Sequence, residues 1–180
     1  MSTDPVPDEP GAPSRRLLIA ALLIAVVAIG AVLAVAATRR TPVRPVTIAG
    51  LPAAQADSAE CRALLATLPE RLGDYPRAQA AEPVPAGAAA WGSYEEPVIM
   101  RCGLDRPAEF VVGVPLQMVD DVQWFRLDDP DTARSTWVAV DRPVYIALTL
   151  PTGSGPSPIQ TLSDVIARTM PAMPIRPGRP

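Results

Sequence analysis

Val98-Ile99-Met100-Arg101-Cys102 decides how this chain is read. The alternation puts Val98, Met100 and Cys102 on one face of a strand and Ile99 and Arg101 on the other. A second cysteine, Cys61, lies upstream in Asp57-Ser58-Ala59-Glu60-Cys61. There Cys61, Leu64, Leu65 and Leu68 fall at i, i+3, i+4 and i+7, the single apolar face of a helix over 58–68, with Asp57 as cap and Glu60 closing a capping box. Pro69 ends it, unless a kink carries the stripe on to Leu72. Each cysteine thus points from its own element toward one core. A bridge between them staples helix to strand across a loop of about 40 residues, worth roughly 4 kcal/mol on the chain-entropy account. The alternatives are a reduced buried pair and a reactive cysteine; the second lacks the base partner that a nucleophile needs.

Outward from this pair, further strand-like runs follow at 109–114, 122–127, 137–140 and 145–150, separated by Gly, Pro and Asp clusters that make turns. The last element is a helix. Ser157 is the expected N-cap, Pro158 takes the first helical position and Gln160 completes a capping box. Ile159, Leu162, Val165, Ile166 and Met170 form its stripe, and Pro171 stops it. Strands flanked by helices predict α+β, with one antiparallel sheet of four to five short strands and both helices on one face.

Upstream, residues 17–37 carry no charge. About 20 such residues at ~1.5 Å each cross a hydrocarbon core of ~30 Å, so a transmembrane helix is expected. Arg15-Arg16 and Arg39-Arg40 bracket it at the headgroup layers. Ala34-Val35-Ala36 has the form of a signal-peptidase site, which leaves cleavage after Ala36 as the alternative. The run is longer than the ~7–15 apolar residues of a signal-peptide core, and this favours an uncleaved anchor. The arginine count alone, two before and three after, leans against a cytoplasmic N-terminus. The cysteine pair outweighs it, because bridges belong to oxidising compartments. The resulting division is a cytoplasmic tail at 1–16, the span at 17–37, a Pro-punctuated linker at 38–56, an extracytoplasmic domain at 57–171 and a loose tail at 172–180. The plasma membrane is the expected location.

The chain has 180 residues and a net charge of −3, with no His; its basic residues are all Arg, and it contains no Asn. Lys and Asn have A/T-rich codons, so their absence reads as a high-G+C genome. The mild negative charge and scattered arginines argue against a nucleic-acid partner. Without His, triads of the Ser-His-Asp and Cys-His kinds are impossible; without Lys, so are Ser-Lys dyads, Schiff bases and P-loops. Two cysteines and no His do not make a zinc site. Thr152-Gly153-Ser154-Gly155 lacks the Lys of a phosphate loop and reads as the turn into the last helix. Asp120-Asp121, Glu95-Glu96 and Asp128-Asp129-Pro130-Asp131 read as solvated turns; the last also lacks the Gly and distal Glu of a calcium loop. No catalytic residue, metal site or cofactor is expected.

A binding surface is expected at Trp91, the aromatic that no strand run claims, with Asp74, Tyr75 and Arg77 at the start of the long Pro/Ala-rich loop before it. The competing reading makes Trp91 a core residue.

Cys61-Arg62-Ala63-Leu64-Leu65, Leu68-Pro69, Ala90-Trp91-Gly92 and Pro97-Val98-Ile99-Met100-Arg101-Cys102-Gly103, with Val122-Gln123-Trp124 and Val144-Tyr145-Ile146, resemble an actinobacterial family of single-pass membrane or secreted proteins, domain of unknown function 3515. The resemblance implies a cell-envelope location and brings no catalytic residue. Three functions are left: a non-enzymatic domain binding an envelope protein or cell-wall polymer, a carrier or sensor of an apolar envelope ligand, and a hydrolase running on carboxylates alone. The first is favoured because nucleophile–base pairs are missing.

Overall fold

The computed structural model describes residues 15–38, 44–129 and 131–179. Most of the expected N-terminal tail, the Arg39-Arg40 bracket and Pro130 lie outside the described residues. The described chain falls into two units, divided after Val43.

In the first unit, α1 spans Arg15–Thr38, and its 24 residues extend about 36 Å. It is long and apolar enough to cross a membrane.

The second unit is α+β. Its elements are α2 (Ala59–Thr67), β1 (Arg71–Leu72), β2 (Tyr75–Ala78), β3 (Ala88–Gly92), β4 (Pro97–Leu104), β5 (Leu116–Val119), β6 (Val122–Asp129), β7 (Arg134–Ala139), β8 (Tyr145–Pro151) and α3 (Ser157–Thr169). The strands form one antiparallel sheet in the order β1-β2-β3-β4-β8-β7-β6-β5. Two meanders, β1 to β4 and β5 to β8, join where β8 returns beside β4. Met100 pairs with Leu148 and Cys102 with Ile146 at that seam, and the register shifts between Cys102 and Leu104.

The alternation read in 98–102 holds. Val98, Met100 and Cys102 join Cys61 and Leu64 of α2 and Ile159, Leu162 and Ile166 of α3 in one buried cluster. Side chains such as Leu64, Leu162 and Ile166 are fully buried, each worth about 1.5–3 kcal/mol. Ile99 points the other way, to Val46, Ile48 and Ala90.

Among the described residues the sheet has eight strands where four to five are expected. β1 and β2 are two and four residues long, and β2 contains Pro76, so neither carries a periodic signal. β3 is Ala-Ala-Ala-Trp-Gly with its three central residues buried; an alanine-rich strand covered on both faces shows no alternation. Residues 109–114, read as a strand, instead make successive turns, with bonds from Phe110 N to Pro107 O and from Val114 N to Val111 O. Gly113 at φ 95 breaks the run. The apolar residues of this run belong to a loop, which Phe110 anchors in a second cluster with Phe125, Val138, Val140 and Ala147.

Both faces of the sheet are therefore covered: helices on one, irregular segments on the other. Two of those segments are the expected linker and tail. Val46 is buried and bridges to Ala80, with Val46 N donating to Gln79 O and Ala81 N to Val46 O. At the other end, Met173 N donates to Asp141 O, while Gly178 bonds with Phe110 and Val112. Hydrogen bonds of main chain to main chain, which leave no trace in hydropathy, hold these segments down.

The caps also differ from the sequence reading. Ser58, not Asp57, caps α2, its Oγ accepting from Cys61 N at 3.1 Å. α3 begins after Pro156 without a side-chain cap.

Cys61 and Cys102 are bonded, with Cα atoms 5.6 Å apart and a sequence separation of 41. Replacing both with alanine is expected to lower the unfolding free energy by about 4 kcal/mol. Urea denaturation of full-length wild type and double variant under oxidising conditions measures this.

Candidate functional site

The four residues of the expected binding surface do come together. Arg77 of β2 pairs with Trp91 of β3, and its guanidinium lies 4.6 Å from the indole centroid. Burial lowers the Arg77 pKa from its ordinary value, against the opposing pull of Glu70. Tyr75 packs against Gly92, where an added Cβ would lie 2.9 Å from Tyr75 Cδ1 and from Glu96 O. Asp74 is exposed in the β1–β2 turn. Trp91 itself is 0% exposed, and its Nε1 donates to Pro69 O at 3.0 Å. The indole fills the core under the end of α2 and presents no platform to a ligand. Its strand went unread because β3 lacks alternation.

The acidic turns stay on the surface. Asp128 pairs with Arg126 at 2.7 Å, both substantially exposed. Asp129 accepts from Asp131 N, and a hydrogen bond from the Thr132 side chain is the main influence holding its carboxyl below the usual range. Among the described residues no cluster of potential metal ligands occurs.

An open concavity lies elsewhere on the domain. The helix-side face of β6 reads Val122, Trp124, Arg126, Asp128. Its first two residues are buried and its last two exposed. Trp124 is sealed under α3, its Nε1 donating to Ser163 Oγ at 3.0 Å. Past Trp124 the cover stops, because α3 begins only at Ser157. The uncovered sheet forms the floor of an open groove of about 640 Å³. Arg126, Ser135, Trp137 and Leu150 are on the floor, Gln117 and Met118 of β5 on one side, and Thr152 to Pro156 with Ile159 and Gln160 on the other. Arg126 lies across from Trp137 in register, its guanidinium 5.3 Å from the ring centroid. The groove thus combines a partly buried aromatic, apolar Leu150, charges of both signs and a glycine-bearing turn. Such a lining suits an extended polar ligand with some apolar surface.

Sequence reasoning missed this site, although a signal was present. Along one face of β6, apolar Val122 and Trp124 give way to Arg126 and Asp128, which marks where the helix layer ends.

A buried ion pair braces the base of the same hairpin. Asp141 and Arg142 are each 3% exposed and lie 3.0 Å apart. Asp141 Oδ2 accepts from Gln123 N, and Arg142 donates to Asp121 O at 2.6 Å. The pair ties the β5–β6 turn to the end of β7.

Trp91→Ala is expected to cost about 3–5 kcal/mol of stability, as for other buried aromatics. Thermal or urea unfolding of the variant checks it. A folded, equally stable variant would return Trp91 to the surface.

No curated protein and no solved structure matches the chain. A family model does, over residues 22–175, which take in most of α1 and nearly all of the second unit. The chain belongs to the family described as "Protein of unknown function (DUF3515)".

Proposed function

We propose that the protein is a membrane-anchored, non-enzymatic binding domain of the cell envelope, with the groove beside Trp137 as its ligand site. In this reading α1 is an uncleaved single span in the plasma membrane, the N-terminus is cytoplasmic and the bonded domain lies outside, facing an envelope protein or cell-wall polymer. The open, mixed-polarity groove carries the reading. There the sheet floor bears an aromatic and a charge, and no helix covers it.

The rival functions find less support. A carrier of an apolar ligand needs an enclosed apolar chamber. The layer between helices and sheet is filled by Leu64, Met100, Trp124, Ile146, Leu162 and Ile166, all fully buried. A carboxylate hydrolase needs an acid kept protonated by burial. The groove's Asp128 is exposed and tied to Arg126, and Asp129 is shifted the opposite way.

External protease added to spheroplasts carrying a C-terminal tag is expected to destroy the tag. Full protection overturns the topology. For the site, a photo-crosslinking residue at Gln160 in cells is expected to give a discrete adduct, whereas the same residue at Arg62 on the outer face of α2 gives none. Adducts at Asp74 or Arg77 and none at Gln160 would move the site to the β1–β2 hairpin.

A further inference from the structure

From the open edge of the sheet beside this groove we infer that the ligand is an extended polypeptide segment carrying a basic side chain, which adds to β5 as a ninth strand. The inference rests on the groove reading above and narrows it to one class of partner.

β5 is the last strand of the sheet and, among the described residues, pairs only with β6. In an antiparallel ladder, alternate residues turn their N–H and C=O groups to opposite sides. Gln123 bonds on the β7 side, donating to Asp141 and accepting from Val140. Trp124 therefore turns to β5, and its partner Gln117 turns to β6. That leaves Leu116 and Met118 with main-chain groups directed outward, and neither has a further main-chain partner among the described residues.

Natural edge strands are blunted by charges, prolines, bulges or a covering segment. Leu116-Gln117-Met118-Val119 carries no charge and no proline, and its pairing to β6 is regular. Met118 is 64% exposed. The opposite edge, β1, is only two residues long and opens on Arg71. The unprotected edge is thus the one that borders the groove, and the helix-side residues of an added strand would prolong its wall. Main-chain pairing would supply affinity and the groove specificity.

Charge selects among extended partners. Asp120 and Asp121 close the β5–β6 turn at the end of this edge, both exposed and in no ion pair among the described residues. Asp129 lies across the groove. The groove's guanidiniums are engaged: Arg126 with Asp128 and Trp137, Arg134 with Pro97 O. Unspent charge at the edge is therefore negative, and it calls for a cationic side chain. A polysaccharide offers no amide ladder to β5. A second copy would bring the same uncharged strand and no cation.

The test uses the full-length chain in detergent micelles and a panel of labelled synthetic peptides of about ten residues that alternate valine and threonine around one arginine. Fluorescence anisotropy is expected to detect binding below about 1 mM. N-methylation of one set of alternate amides should weaken it by about tenfold or more, while methylation of the other set leaves it within about twofold. Glutamate in place of the arginine should weaken it by about tenfold at low salt. Met118→Pro removes only an outward N–H, which an edge strand tolerates, and should abolish binding at an unchanged melting temperature. Equal losses for the two methylation patterns, no binding by any peptide, or a dimer that forms without peptide and excludes it would each overturn strand addition. An adduct at Gln160 would in those cases still support the groove, with a polymer or a second copy as its occupant.

Discussion

Three consecutive residues, Arg101-Cys102-Gly103, hold the layers of this domain together. Cys102 Sγ is bonded to Cys61 and so fixes α2 to the sheet. Its N–H donates to Gly87 O, which sets the approach to β3. Arg101 reaches from the opposite face to Ala49 O, and burial lowers its pKa. Gly103 O accepts from Gln55 N. Gly103 takes φ 84, and an added Cβ would lie 2.2 Å from Gln55 C, so no other residue fits where the two chains cross. A helix, a strand, a loop and the segment leading in from α1 thus converge within three residues. This crowding accounts for the Arg-Cys-Gly run and requires no chemistry at the sulfur.

The Trp-Gly motif has the same character. Trp91 supplies bulk beneath α2 and a donor for Pro69 O, which lies just past the end of that helix. Gly92, at φ 88, leaves room for the Tyr75 ring and Glu96 O. Both runs are packing constraints around the disulfide. They explain how a small domain with few aromatics holds one fold, and they explain why the motifs point away from the groove.

How legible the fold was follows from where the signal of each element comes from. β4, β6, β8 and the two helices were readable because each buries one periodic face, as with Met100 and Cys102 or Leu162 and Ile166. β3 was not, since alanines buried on both sides carry no period. β2 and β5 were too short to register one. Val46 and Gly178 are tied to the domain by main-chain bonds, which leave no periodic signal in hydropathy. The surface expected at Trp91 failed for a related reason: an aromatic that no strand claims on hydropathy can still belong to a strand that hydropathy does not reveal.

The groove and the braced hairpin make a physical unit. A long hairpin standing beyond its helix cover loses packing on one face and needs another source of rigidity. The Asp141–Arg142 pair supplies it at the base, where burial makes the pairing obligatory: either charge left alone there would be costly. Oδ1 of Asp141 and Nε of Arg142 find no hydrogen-bond partner among the described residues, so full satisfaction of the pair is given up for a bond that spans the β5–β6 turn, the end of β7 and the C-terminal segment. At the far end the constraint is reversed. Arg126 and Asp128 are paired in water, where such a contact contributes only about 0–1 kcal/mol, so they can exchange partners at little cost. Rigidity is concentrated at the base and exchangeable polar contact at the mouth. That gradient suits a surface that keeps its shape while its hydrogen bonds and ion pairs pass from water or one another to a ligand.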